Sequence, residues 1–250
     1  MHYPVPPLPQ DCLAGRVILV TGANSGLGAA AALAYARFGA TVALLGRNEA
    51  RLEKTYDAIK AAGGPEPAMF PFDLATADDA GFERLAQTVV YHLKGLHGIL
   101  HSAQSFFQLT RLEHQTLEQW QTLMRVNLVA PFALTRAGMP WMLQQPDASV
   151  VFTGESHAHD AGAYWGGFAL SKEALAGLTR IWDQELELTP TVRINTLIPG
   201  PVQSPFRTRT HPGEAPEEIA TAASILPWYV WLMSPQSSDI HGQIVHCQPT

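Results

Sequence analysis

Charge is scarce in this chain, and sulfur scarcer still. Asp, Glu, Lys and Arg make up 15% of the 250 residues, and acids outnumber bases by 22 to 16. A formal charge of −6 excludes nucleic acid or an anionic membrane as the main partner, since both need a clustered basic face. Cys12 and Cys247 are the two cysteines and stand far apart in sequence. One disulfide is open to them, but so sparse a thiol content fits a reducing compartment better. No apolar run approaches the ~18 residues that a membrane-spanning helix needs. The stretch Met1 to Gln10 is proline-rich and lacks the basic segment and apolar core of a secretion signal. Together these absences predict a cytoplasmic chain. Hydrophobic residues at 46% exclude disorder and suffice for one sizeable core.

What is present is an alternation. Apolar runs of strand length alternate with helical patterns, which signals βαβ units and a parallel sheet. Strands are predicted at 17–20, 41–45, 69–72, a run ending at 99–101, 149–153, 192–197 and 244–247. Pro71 weakens the hydrogen bonding of the third. Helices are predicted at 29–38, stopped by Gly39, at 49–62 before the break Gly63-Gly64, and at 167–186. A longer helix over 117–144 contains Pro131 and Pro140, which predict a bend or a division. No repeat or linker interrupts the pattern. The chain therefore reads as a single α/β, Rossmann-like, doubly wound domain over 1–250, with a central parallel sheet of about seven strands. Residues 1–13 form an N-terminal extension. The segment 203–218 holds three prolines and reads as a mobile loop over a site.

The run Thr21-Gly22-Ala23-Asn24-Ser25-Gly26-Leu27-Gly28 follows a strand and opens a helix, the context a dinucleotide loop requires. Gly22 permits the tight turn, Gly26 admits a pyrophosphate to the backbone, and Gly28 lets the helix pack closely. The helix start offers free N–H groups and a positive dipole to phosphate. Arg47 lies 19 residues past Gly28, just after the second strand. An acid there would bind a ribose 2′-hydroxyl, whereas a guanidinium favours a 2′-phosphate. Glu49, the nearest acid, begins a helix. NADP(H) is therefore the expected cofactor, in preference to NAD(H).

The spacing Thr-Gly-x-x-x-Gly-x-Gly resembles the short-chain dehydrogenase/reductase family, and the resemblance covers essentially the whole chain. Met-His-Tyr at the start, Leu44-Leu45-Gly46-Arg47-Asn48 and Gln248-Pro249 are most similar to the bacterial YciK branch, whose members carry no assigned substrate. The resemblance implies a cofactor set beyond the loop residues Gly22, Asn24, Ser25, Gly26, Leu27 and Gly28. Arg47 and Asn48 belong to it at the second strand, Asp73 and Leu74 hold adenine, and Ala103 follows the fourth strand. Pro199, Gly200 and Val202 edge the nicotinamide, with Ser204 on the carboxamide. It also implies association through two long helices, as a homodimer or homotetramer acting on a small-molecule substrate.

The family mechanism needs a Tyr hydroxyl four residues before a Lys on one helix, where one turn puts both on one face. The Lys lowers the phenol pKa and binds the nicotinamide ribose. A Ser thirteen residues before the Tyr holds the substrate oxygen, and a helix Asn completes the set. Here Lys172 and Asn127 match the pattern, but the Tyr position holds Phe168, an inert ring, and the Ser position holds Glu155. The family's Asn-Ala-Gly turn reads Ser102-Ala103-Gln104, and a Gln side chain there crowds the nicotinamide ribose. Two roles are open for Glu155: a proton donor, if burial raises its pKa, or a salt-bridge partner of Lys172. Tyr164 lies too far along the helix to replace the missing phenol and reads, with Trp165, as a pocket wall. His157, His159 and Asp160 with Glu155 are a loop set without metal-site spacing, and no metal is expected. His101 reads as a strand-end histidine. Three functions remain open. One is an NADP(H)-dependent oxidoreductase of a carbonyl or alcohol with an altered proton relay. Another is a non-catalytic NADP(H)-binding protein. The third is different chemistry built on Glu155, His157 and Lys172.

Overall fold

The computed structural model describes residues 3–160, 162–189 and 191–249, and the side chain of His159 lies outside that set. Among the described residues one sheet holds β1 (Val17–Thr21), β2 (Thr41–Gly46), β3 (Ala68–Pro71), β4 (Gly98–His101), β5 (Ala148–Thr153), β6 (Val192–Ile198) and β7 (Ile244–His246). The strand order is β3-β2-β1-β4-β5-β6-β7 and every neighbouring pair is parallel. The chain turns back on its own order between β1 and β4, the point at which such sheets open a ligand crevice.

The helices are α1 (Gly26–Arg37), α2 (Glu49–Ala61), α3 (Asp79–Leu93), α4 (Leu117–Met124), α5 (Ala130–Met142), α6 (Ser156–His159), α7 (Gly166–Glu185), α8 (Pro205–Thr210) and α9 (Ala222–Met233). Strand side chains alternate between two faces. Ile18 and Val20 meet α1, α2 and α9 on one face, while Val17 and Leu19 share the other core with α3, α5 and α7. No helix of the described residues is long and apolar enough to cross a membrane. Cys12 and Cys247 are free thiols, so the disulfide does not form.

The predicted strands all appear, with ends shifted by a residue or two. Pro71 is harmless because β3 is an edge strand. The long helix divides just ahead of Pro131, whose missing N–H and ring disturb the turn back to Asn127, and not at Pro140. A π-turn over Arg125–Val129 separates α4 from α5, Pro131 sits at the start of α5, and Pro140 remains inside it. The segment 203–218 is not a loose loop. Ser204 caps α8 by accepting the Arg207 N–H at 3.1 Å, and Pro205 opens the helix. That pair is a helix start. The segment is held further by a two-point Arg207–Glu214 ion pair at 2.6 and 2.7 Å.

Candidate functional site

The turn from β1 into α1 forms the floor of a cleft of about 480 Å³ at the carboxyl ends of the strands. Gly28 packs directly onto the Gly22 carbonyl, leaving no room for a side chain. Gly26 holds φ at +54° with nothing within 4 Å of where a Cβ would stand, so its backbone is open to the cleft. Ser25 precedes α1 without making a side-chain cap bond. The amides of the first turn are thus available to an anion. Thr21 Oγ1 accepts the N–H groups of Ser102 and Ala103 at 3.0 and 3.1 Å, which clamps the loops after β1 and β4 together across the switch point.

Asn24, Leu27, Arg47, Asp73, Leu74, Ala103, Pro199, Gly200, Val202 and Ser204 all line this cleft, as the sequence predicts. Asn48 does not. Its Oδ1 accepts the Arg51 N–H at 3.0 Å and caps α2, because Asn just before a helix start serves the backbone first. That cap brings a second cation, Arg51, to the cleft beside Arg47. Its place, four residues on and one helical turn away, was the signal for it. Gln104 is exposed and lines the cleft. Ser204 is partly committed to capping α8.

The catalytic corner is arranged differently from the expectation. Among the described residues Glu155 lines the cleft, while Asn127, Phe168 and Lys172 lie buried behind its wall. Phe168 is 1% exposed. Its ring centre lies 5.2 Å from Phe106, 5.4 Å from Phe206 and 5.8 Å from Trp165. Asn127 sits in the π-turn. It accepts the Ser105 N–H at 2.7 Å and donates to Ser105 O and Ser171 Oγ, each at 3.0 Å. Lys172 Nζ donates to the Thr153 carbonyl oxygen at 2.9 Å. Burial pulls its pKa from 10.5 down to about 8, against the attraction of Glu155.

Glu155 makes neither of its predicted contacts as drawn. Its Oε1 pairs with His157 Nδ1 at 3.1 Å, not with Lys172. Burial by itself raises the carboxyl, but the hydrogen bond and charge of His157, together with the Lys172 charge, bring the net shift below the ordinary value. It is therefore an anion near neutral pH and not a proton donor. His157 stacks on Trp165 with centroids 4.4 Å apart and faces His211 at 5.0 Å. Tyr164 is 59% exposed and is not among the cleft-lining residues, so it is no pocket wall. Trp165 packs into the aromatic group instead. His101 is buried, bonded to Thr135 Oγ1 at 2.9 Å, and held neutral by burial and the Lys172 charge, with a pKa of about 3. Among the described residues no three His, Cys, Asp or Glu side chains converge on a metal position, and His159 lies outside them.

A sequence model of short chain dehydrogenases matches residues 16–215. The chain belongs to the short-chain dehydrogenase family. It is 37% identical to the oxidoreductase YciK of Escherichia coli K12, over 100% of this chain and 97% of that one. It is 28% identical to the 3-oxoacyl-[acyl-carrier-protein] reductase FabG of Thermotoga maritima, over 93% of this chain and 96% of that one. Among solved structures, a short chain dehydrogenase of Escherichia coli CFT073 complexed with NADPH superposes with a TM-score of 0.92 at 37% identity. It covers 97% of this chain and 100% of that one. A Shigella flexneri homologue complexed with NADP superposes equally, at TM-score 0.92 and 37% identity, covering 96% and 100%. In this short-chain dehydrogenase the rings of Phe106, Phe168, Phe206 and Trp165 form one aromatic group beside the cleft. Phe106 and Phe206 gave no separate signal in sequence, since nothing local to either residue points to the other.

Proposed function

We propose that this short-chain dehydrogenase binds NADP(H) in preference to NAD(H) and does not run carbonyl–alcohol turnover through the family's phenolic relay. The enclosure of Phe168 among Phe106, Phe206 and Trp165 carries the reading. Such ring pairs contribute about 0.5–1.5 kcal/mol each beyond their buried area, so the residue at the Tyr position serves packing.

The cleft fits the cofactor. The open backbone at Gly26 and the uncapped first turn of α1 suit a diphosphate, Arg47 and Arg51 suit a 2′-phosphate, and Asp73 and Leu74 line the adenine end. The NADP and NADPH complexes of the Shigella flexneri and Escherichia coli homologues support the same choice. When bound, NADPH supplies a hydride. The chain's own residues then lack the matching proton: Phe168 has none, and Glu155 turns a carboxylate toward the cleft that opposes a developing alkoxide. Losing positioned acid–base catalysis costs ~10²–10⁴-fold in rate. The protein is accordingly an NADP(H)-binding member with a regulatory or structural role.

One observation favours a second reading, an oxidoreductase with an altered relay. The His157 imidazole is held by the Glu155 carboxylate, a pairing that orients an imidazole for proton transfer. Exposed apolar side chains on α5 and α7, Phe132, Leu170 and Ile181, support a homodimer or homotetramer.

The deciding experiment follows NADPH consumption over a panel of ketones and aldehydes. The natural chain is expected to show none, and Phe168→Tyr combined with Glu155→Ser to show turnover. Turnover by the natural chain that vanishes in Glu155→Gln establishes the altered relay instead.

A further inference from the structure

Arg209 is a cleft cation that cofactor binding leaves unused. It stands near the end of α8 and lines the cleft with Arg207, Gln104, Glu155 and Phe206. Its position along the cleft follows from the fold. Arg47 and Arg51 lie beyond β2, on one side of β1, whereas Arg209 reaches the loop after β4, on the other. Arg209 Nη2 donates to the Phe107 carbonyl oxygen at 3.0 Å, and its Cζ lies 5.5 Å from the centre of the Phe106 ring. That ring is 5.2 Å from Phe168. One aromatic ring thus separates the guanidinium from the position at which the family keeps its proton donor.

The two arginines of α8 differ in charge balance. Arg207 is neutralised by its two-point pair with Glu214. Among the described residues no carboxylate lies within ion-pair distance of Arg209, whose partners are a carbonyl and a ring face. The guanidinium is held in place and its charge is unspent. A planar fork of N–H donors in that condition matches a carboxylate. The surroundings select further. Glu155 on the same wall repels a second negative charge, and Phe206, which lines the cleft, offers apolar ring surface. The geometry points to a carboxylate subsite at Arg209: it takes a small monocarboxylic acid with a flat apolar body, the carboxylate on the guanidinium and the body against Phe206. This assignment rests on the NADP(H) reading in that acid and cofactor share one cleft and occupy its opposite ends.

The same chemistry has a second source, the diphosphate of the cofactor itself, and the test separates the two. The NADP⁺-loaded chain is titrated calorimetrically with benzoate, with uncharged benzamide and with inorganic phosphate. Benzoate is expected to bind about tenfold or more tighter than either control. Arg209→Gln, an exposed position, is expected to weaken benzoate about tenfold while NADP⁺ affinity stays within about twofold, and Arg209→Lys to keep part of the benzoate affinity. Equal binding of benzoate and benzamide overturns the assignment. So does benzoate binding that survives Arg209→Gln, or NADP⁺ binding with no benzoate response below roughly 10 mM. Equal losses of NADP⁺ and benzoate in Arg209→Gln assign the guanidinium to the diphosphate. If NADP⁺ does not bind the natural chain at all, the cofactor reading fails, and benzoate titration of the free chain decides the subsite by the same variants.

Discussion

The ammonium of Lys172 lies 5.9 Å from the centre of the Phe168 ring, one helical turn away on α7. The contact is a cation near an aromatic ring, worth about 0.5–2 kcal/mol. Lys172 carries the cost of being buried, and no hydroxyl at position 168 makes use of it.

That cost predicts a pH signature. A base whose pKa falls from 10.5 to about 8 on folding holds fewer protons folded than unfolded between those values. Stability traceable to Lys172 therefore rises with pH through that window, and the penalty is complete below pH 8. It amounts to no more than about 3 kcal/mol. Lys172→Met gives up the bond to Thr153 O, worth about 1 kcal/mol, but removes the buried charge. It is expected to be about 1–2 kcal/mol more stable than the natural chain at pH 7, with the gain gone at pH 10. Urea denaturation at both pH values checks this, and a gain independent of pH would refute the stated cause.

The glycine loop predicts two separable defects. Gly28→Ala drives a methyl into the Gly22 carbonyl, and overpacking of this kind costs about 1–3 kcal/mol. Gly26→Ala meets open space but keeps φ at +54°, which costs about 1–2 kcal/mol. Thermal unfolding should therefore rank Gly28→Ala as the more damaging in the free protein. Adding NADPH should stabilise Gly26→Ala far less than the natural chain, because the new methyl stands where the backbone is open. Full NADPH stabilisation of Gly26→Ala would argue that no phosphate approaches that residue.

The proposed preference for NADP(H) rests on Arg47 and Arg51, the two arginines that line the cleft after β2. NADPH should raise the melting temperature of the natural chain more than NADH at equal concentration. Arg47→Ala should lose about 1.5–3 kcal/mol of NADPH binding, a charge-assisted contact, and leave NADH unaffected. Arg51→Ala should act in the same direction. Equal stabilisation of the natural chain by both nucleotides would defeat the preference.

The sheet and the glycine turn after β1 were legible because each rests on local chemistry. Residues 17–20 are apolar throughout, and the glycines of the next turn take backbone positions with no room for a side chain or with positive φ. Two long helices, α3 and α9, were missed. The α3 start is written in Asp78, whose side chain accepts the Gly81 N–H at 2.7 Å, a cap that reads clearly once sought. The α9 helix hides its period because Ala222–Met233 is apolar on nearly every side and contains Pro227. The 203–218 segment was misread because its prolines suggested a loop, while Ser204-Pro205 also spells a helix start. In the site, spacing singled out Phe168, Glu155 and Lys172 but not their partners. Glu155 chose His157, two residues away, over Lys172, because Lys172 bonds the Thr153 carbonyl below it. No local pattern encodes that competition, nor the meeting of Phe106, in the loop after β4, with Phe206, a hundred residues on in α8.

The Thr21 hydroxyl, taking amide protons from both Ser102 and Ala103, makes the bottom of the cleft a fixed anvil. Moving either loop away from the other would break both bonds to that one hydroxyl, so a ligand of any bulk meets the same spacing between the loops after β1 and β4.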